Sequence, residues 1–299
     1  MILAPLRGVT IRCFRETFAE EIRAAGFTEA ITPFITATPG FDPLADRELR
    51  IDRSSADHLR LAPSPFPVTP QFIGKDPEAL RACLMRIRAA GYETADLNCG
   101  CPFPMVRNKG RGSGILRTPD VLRRMLDVGC EVMGDGKFSV KTRLGVTRTD
   151  ELLALMPFLN AYPLRFLTVH ARTAVQMYEG TCDWEAFRAV AAVAQMPLVA
   201  NGDLAVDAVY RPRPAADVTT AWTMVGRSFV RGLGEGADAD ARLARYFAAS
   251  ERELSGPAPV LGRMKELLSY WKDLPSWRRR WQVIKLARTI DEFKLAVGI

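Results

Sequence analysis

Histidine is scarce in this chain: His58 and His170 are the only two in 299 residues. Neither sits in a paired ligand spacing, and a structural zinc needs four ligands, so the sequence argues against a metal centre. The six cysteines, at 13, 83, 99, 101, 130 and 182, are scattered along the chain, unlike the dense framework of a small disulfide-stapled scaffold. No apolar run approaches the length of a bilayer-spanning helix, so no membrane association is expected. The chain opens directly with "MILAPLRG", without a charged-then-apolar leader, and a cytoplasmic protein is expected. A glycine-rich dinucleotide fingerprint after the first apolar run is also missing.

What is present is a large apolar fraction, 48%, enough for a sizeable core. The net charge of +7 is unevenly spread: residues 241–299 hold 12 Lys and Arg against 6 Asp and Glu, and the first 240 hold 29 against 28. A nearly neutral body with a basic tail suggests a polyanionic partner; a solvated helical face is the plainer alternative.

Eight short apolar runs recur: "MILAPL" (1–6), "EAITPFI" (29–35), "VTPQFI" (68–73), "TADLNC" (94–99), "FSVKTR" (138–143), "RFLTVH" (165–170), "PLVANG" (197–202) and "AWTMVG" (221–226). Helical-period segments such as "FRETFAEEIRAAG", "PEALRACLMRIRAAG", "DVLRRMLDVGCEVMG" and "DWEAFRAVAAVAQ" alternate with them. Eight such units fit a (β/α)8 TIM barrel, with a doubly wound sheet as the second choice. After residue 240, "ADADARLARYFAASEREL", "VLGRMKELLSYWKDL" and "SWRRRWQVIKLARTIDEFKLAV" read as helices without strands between them, with "SGPAP" separating the first two. The expected organisation is an α/β barrel over 1–240 followed by a small C-terminal helical domain over 241–299. "RPRPAAD" and "NKGRGSG" read as loops.

Barrel enzymes place their chemistry at the C-terminal ends of the strands. Polar residues gather at those ends here: Arg7 after strand one, Gln71 on strand three, Asn98 and the Cys99-Gly100-Cys101 turn on strand four, Lys141 and Arg143 on strand five, His170 and then Arg172 on strand six, Asn201-Gly202-Asp203 on strand seven, and Gly226-Arg227 on strand eight. Each alone has an ordinary structural explanation. The two thiols in "ADLNCGCPFP" are too close for an ordinary bridge and are open to reading as metal ligands, buried residues or an acid. The loops after strands seven and eight form the common phosphate site of this fold, so Gly202, Gly226 and Arg227 suggest a phosphorylated cofactor. A flavin mononucleotide fits, with Lys141 and Gln71 facing its ring; a phosphorylated substrate is the alternative.

The segments "LAPLRGVT", "NCGCP", "GSGILRTP", "VKTRLG", "TVHARTAVQMYEGTCDW", "VANGDL" and "MVGRSF" resemble, in the same order, those of the tRNA-dihydrouridine synthases. The ending "GRMKELLSYW…IKLARTIDEF" resembles the helical domain of the bacterial DusC-like group. The resemblance implies FMN-dependent, NADPH- or NADH-driven reduction of uridine to 5,6-dihydrouridine in tRNA. It implies Cys101 as the acid that delivers a proton to C5 while reduced flavin delivers hydride to C6. It maps the FMN site onto Pro5, Leu6, Arg7, Gln71, Lys141, His170, Asn201, Gly202, Asp203, Gly226 and Arg227, and the uracil contacts onto Asn98 and Arg172. Lys141 or Arg172 is then placed to stabilise enolate charge. Cys99 is expected to be structural. Arg7, Leu6, Ala174 and Ser228 depart from the usual family residues. A folded RNA substrate gives the basic tail a purpose: Arg278, Arg279 and Arg280, flanked by Trp277 and Trp281, would grip phosphates while the tryptophans pack the helices. A monomer is expected. An FMN barrel oxidoreductase acting on a small pyrimidine, and a non-enzymatic RNA-binding barrel, are the competing readings.

Overall fold

The computed structural model describes residues 1–52, 60–204 and 222–299. His58 and the segment "RPRPAAD" lie outside the described residues. Eight parallel staves form the barrel: β1 (Ile2–Leu3), β2 (Glu29–Ile31), β3 (Gln71–Ile73), β4 (Ala95–Cys99), β5 (Phe138–Gly145), β6 (Leu167–Thr173), β7 (Leu198–Asn201) and β8 (Trp222–Val225). Neighbours pair in sequence order, and β8 returns to β1. Between β2 and β3 the seam is split in two: Val68–Thr69, just before β3, pairs with β2, and Ile35–Thr36, just after β2, pairs with β3. Pro70 lies in the split, where a residue without an N–H costs no ladder bond. All eight expected strands are therefore present, as a closed barrel rather than an open doubly wound sheet.

Two strands run further than their apolar runs suggested. β5 reaches Gly145 and β6 reaches Thr173, so Arg172 lies inside β6 instead of beyond its end. Register then sets the layers of the interior. Gln71, Asp96 and Ser139 are lateral partners across β3, β4 and β5, and one layer higher Asn98 pairs with Lys141.

The helices begin where local chemistry dictates. The Asp76 carboxylate accepts from the N–H groups of Glu78 at 3.0 Å and Ala79 at 3.2 Å, and Pro77 occupies the first turn of α3 (Pro77–Ala89), where its missing N–H is no loss. Gly129 of α5 (Pro119–Met133) is obligatory for packing, because a Cβ there would sit 2.1 Å from the Phe138 ring of β5.

The tail forms α9 (Ala239–Glu253), α10 (Pro257–Ser269), α11 (Pro275–Ile284) and α12 (Ile290–Val297). The final segment, expected as one helix over 276–297, is broken into two. Thr289 starts α12 with a reciprocal capping box to Glu292, a Thr-x-x-Glu signature present in "TIDE". The core runs without interruption from barrel to tail: Tyr246 of α9 lies 5.8 Å from Phe14 and 5.5 Å from Phe18, ring to ring. Trp271 and Trp277 are fully buried with ring centroids 4.9 Å apart. Their indole N–H groups donate to the carbonyls of Val230 at 2.7 Å and Gly234 at 2.9 Å. The tryptophan pair thus pins the tail onto α8 (Arg227–Gly232) and the loop that follows it.

Trp277→Ala should lower folding stability by roughly 3–5 kcal/mol through loss of core volume. Trp277→Phe keeps most of that volume, leaves the Gly234 carbonyl unpaired, and should cost about 1–3 kcal/mol. Denaturant unfolding of the two variants separates packing from hydrogen bonding.

Candidate active site

β4 delivers Asn98 to the barrel interior and turns Cys99 outward into the core beneath the helices, by simple strand alternation. The Asn98 Oδ1 accepts from the N–H groups of Gly100 at 3.1 Å and Cys101 at 2.9 Å, closing the turn. The Cys101 carbonyl in turn accepts from Ser113, through N–H at 3.1 Å and Oγ at 2.9 Å. Gly112 must be glycine: its φ is +56° and a Cβ would lie 2.8 Å from the Cys101 Cβ. The "GRGSG" segment is thus a bracket for the thiol. Cys101, 8% exposed, borders a cavity at the C-terminal mouth of the barrel. Burial pushes its pKa up, against the pull of the Phe103 N–H, Arg143, Arg7 and Lys141, so the thiol stays protonated near neutral pH. Cys99, wholly buried, is raised further by burial and by the Asp96 charge.

Below the turn lies a relay of side chains. Asn98 Nδ2 donates to Gln71 Oε1 at 2.8 Å, Gln71 Nε2 donates to Asp96 Oδ1 at 2.7 Å, and Ser139 Oγ donates to Asp96 Oδ2 at 2.7 Å. Burial pushes the Asp96 carboxyl up to about 6, offset in part by those hydrogen bonds. Both ends of the Gln71 amide are spent in this relay, so Gln71 lies one layer beneath the cavity rather than on its wall. Asp96 and Ser139 escaped the reading of the sequence. The available signal was period two: they precede Asn98 and Lys141 by two residues and share their face.

Cations crowd the mouth. Lys141 Nζ donates to Asn201 Oδ1 at 2.9 Å, and Asn201 Nδ2 donates to the Met224 carbonyl at 2.9 Å. Burial, then the adjacent Arg143, pushes Lys141 down to about 8. Arg143 is 1% exposed and donates to three carbonyls: Gly100 at 3.0 Å, Thr173 at 2.8 Å and Met177 at 2.7 Å. Met177 has φ +50°, an uncommon conformation for a non-glycine residue, and holds its carbonyl toward that guanidinium. His170, buried and surrounded by Arg143, Lys141, Arg172 and Arg227, is held well below its ordinary pKa and is neutral.

Arg172 is committed elsewhere than the cavity. It donates to Asp203 at 2.9 and 2.5 Å, to the carbonyls of Glu179 at 3.1 Å and Gly180 at 2.5 Å, and to Cys182 Sγ at 3.0 Å. Asp203 also accepts from Arg227 at 3.1 Å, so one carboxylate orients both guanidinium groups. Gly202 and Gly226 are required by protein packing: Cβ atoms there would lie 2.4 Å from Cys182 Sγ and 2.9 Å from Ala4 Cβ. Ala174 is wholly buried, and the Ser228 hydroxyl donates to the Leu204 carbonyl at 2.8 Å.

Pro5, Leu6, Arg7, Asn98, Cys101, Lys141, His170 and Arg227 border the cavity together, as expected. Arg143 and four aromatic residues join them: Phe34, Phe103, Tyr178 and Tyr270. Tyr178 lies beneath the guanidinium groups of Arg227 at 4.8 Å and Arg143 at 5.3 Å. Glu266 comes from α10 and Tyr270 caps its C-terminus, so the tail completes the rim. Arg278, Arg279 and Arg280 sit on α11, away from this lining. The first two are exposed; Arg280 is bound to Asp240 at 2.7 Å and to the Val297 carbonyl, and stacks 4.2 Å from the Trp277 ring. No group of three or more His, Cys, Asp or Glu side chains suited to a metal occurs among the described residues.

The donor set suits an anionic cofactor. Lys141, Arg227 and Arg7 supply positive charge, and the cavity offers N–H donors but a single carboxylate, Glu266, at its rim. These residues fit a phosphate and the carbonyl oxygens of a flat heterocycle.

The profile of the Dihydrouridine synthase (Dus) family matches residues 2–230. The tRNA-dihydrouridine synthase B of Vibrio cholerae serotype O1 is 28% identical over 229 residues, 76% of this chain and 66% of that protein. The tRNA-dihydrouridine synthase B of Pectobacterium carotovorum is 25% identical over 293 residues, 96% of this chain and 84% of its own. The tRNA-dihydrouridine(16) synthase of Ralstonia nicotianae is 29% identical over 205 residues, 68% and 61% of the two chains. The match to the Vibrio protein thus spans just under two thirds of that relative's length.

A raised thiol pKa makes a clear expectation for reactivity. Site-resolved iodoacetamide labelling should show Cys101 reacting slowly at pH 7 and gaining its rate only at a pH above that of an ordinary free thiol. A midpoint below that of free cysteine would contradict the protonated state.

Proposed function

The chain belongs to the dihydrouridine synthase family, and on that premise we propose that it reduces uridine to 5,6-dihydrouridine in tRNA with FMN as cofactor and NADPH or NADH as reductant. The observation that carries this reading is the Cys101 thiol, kept protonated by burial and held at the mouth of a barrel lined by Lys141, Arg143, Arg227 and neutral His170. The FMN would be held by Pro5, Leu6, Arg7, Lys141, His170 and Arg227, which border the cavity, with Asn201, Gly202, Asp203 and Gly226 shaping the strand ends behind them. When bound, it supplies the hydride for C6.

The chain's own side chains do the rest. Cys101 gives its proton to C5, which asks for a thiol and not a thiolate. Lys141, with a single acceptor in Asn201 and N–H donors to spare, stabilises charge that develops on a uracil carbonyl oxygen. We assign Asn98 and Arg172 supporting roles, since their polar atoms are occupied: Asn98 shapes the turn, and Arg172 aligns Asp203 and through it Arg227. Gln71 supports the cofactor site from the layer below.

The target base must leave its stack to reach a thiol this deep. The terminal helices, residues 241–299, serve as the tRNA-binding part, with Arg278 and Arg279 facing outward to phosphates and Arg280 contributing less because Asp240 neutralises it.

Purified protein should be yellow with bound FMN and should form dihydrouridine, read by mass spectrometry, in tRNA that lacks it. Cys101→Ala should keep the flavin and its reduction by NADPH but lower dihydrouridine formation by about 10²–10⁴-fold, whereas Cys99→Ala should be mild. A flavin-free protein, or equal loss in the two folded, flavin-loaded variants, would overturn the assignment.

Changing Arg278 and Arg279 together to Ala should weaken tRNA binding and reduce the slope of log affinity against log salt by up to about two. NADPH oxidation should not change. An intact helical circular dichroism spectrum with unaltered affinity and slope would remove α11 from the RNA interface.

A further inference from the structure

We propose that Asp96 is a positioning residue for the thiol: its carboxylate, acting through the amides of Gln71 and Asn98, sets the orientation of the turn that carries Cys101. Asp96 touches neither the cavity nor Cys101. It is fully buried, one layer down, and its two oxygens are divided between Gln71 at 2.7 Å and Ser139 at 2.7 Å. This inference rests on the catalytic role assigned to Cys101 above.

The reasoning follows from what each group can offer. Backbone N–H groups only donate and an ionised carboxylate only accepts, while a side-chain amide does one at each end. The relay has the N–H groups of Gly100 and Cys101 at one terminus and Asp96 at the other. Two amides lie between, and only one arrangement satisfies all four members. Gln71 turns its NH2 to Asp96 and its oxygen to Asn98. Asn98 then turns its NH2 to Gln71, leaving its oxygen for the two N–H groups of the turn.

Without an acceptor at position 96, Gln71 loses the partner for its NH2, and only the one bond it accepts from Asn98 still holds that orientation. A flipped Gln71 presents NH2 to the Asn98 NH2. Asn98 must then flip too, setting NH2 against the donors of Gly100 and Cys101. The turn opens, because buried donors facing donors are costly. What the relay requires of residue 96 is an acceptor oxygen on the Gln71 side. An Asn side chain supplies that oxygen and leaves its NH2 for Ser139, whereas Ala supplies nothing.

The test uses flavin-loaded full-length protein and site-resolved iodoacetamide labelling, with Cys130, the half-buried thiol of α5, as internal reference. Asp96→Ala should raise Cys101 labelling severalfold relative to Cys130, and Asp96→Asn should restore it to the wild-type value. Labelling needs no RNA, so this result stands or falls apart from the proposed activity. With tRNA as substrate, Asp96→Ala should lower kcat by up to about a hundredfold, leave KM for tRNA in place, and again be rescued by Asn. Unchanged Cys101 labelling in Asp96→Ala, or an Asn variant as perturbed as Ala, overturns the proposal. Should Asp96→Ala loosen the whole protein, with Cys99 and Cys130 labelled as well, Gln71→Met decides, since it cuts the same relay higher up. A rise confined to Cys101 supports the proposal there; no rise, or a general one, overturns it.

Discussion

The site depends on burying Arg143. Among the described residues its guanidinium faces no carboxylate, and three carbonyls on two separate segments accept from it: Gly100 beside the thiol, and Thr173 at the end of β6 with Met177 in the loop beyond. A buried cation left without such partners would be far too costly, so both segments must adopt the shapes that present those oxygens. The Met177 backbone accepts a positive φ as part of that arrangement. The mouth of the barrel is therefore preorganised by one cation and not by a stack of independent turns.

The same crowding of positive charge explains the protonation states. Lys141 falls to about 8, and His170 is held well below its usual value, because each is buried among further cations. Arg143 itself is pulled down to about 10, chiefly by burial. Among the described residues, Asp203 offsets them from the side and Asp96 from beneath, and Glu266 stands at the rim. Such a surplus of donors favours an anionic group in the cavity.

The tail belongs to this arrangement physically. Trp271 and Trp277 bind it to α8, the helix that begins at Arg227, and to the loop after it, while Glu266 of α10 and Tyr270 at that helix's C-terminal cap reach the rim. Loosening the tryptophan pair would disturb the cavity as well as the terminal helices. A second groove, lined by Ile11, Met105 and Arg263 among others, shares Arg7, Phe103 and Glu266 with that rim.

Much of this was legible in the sequence for a local reason. Strands announce themselves as short apolar runs, and a barrel puts whatever polar residue ends a run at one face. That is how the sequence gathers Cys101, Lys141, His170 and Arg227 at one mouth, and in the structure all four border one cavity. The break between α11 and α12 is also written locally, in Thr289 and Glu292, beneath a helical period that runs on through it. Tertiary structure alone decided the rest. That Arg172 is spent on Asp203, that Gln71 sits below the cavity wall, that Gly202 is glycine because a sulfur from Cys182 fills its Cβ space, and that α10 closes the rim all depend on groups distant in the chain. Composition determines which donors and acceptors exist. Strand register and helix docking determine which of them meet, and a hydrogen bond already made inside the protein is no longer available to a ligand.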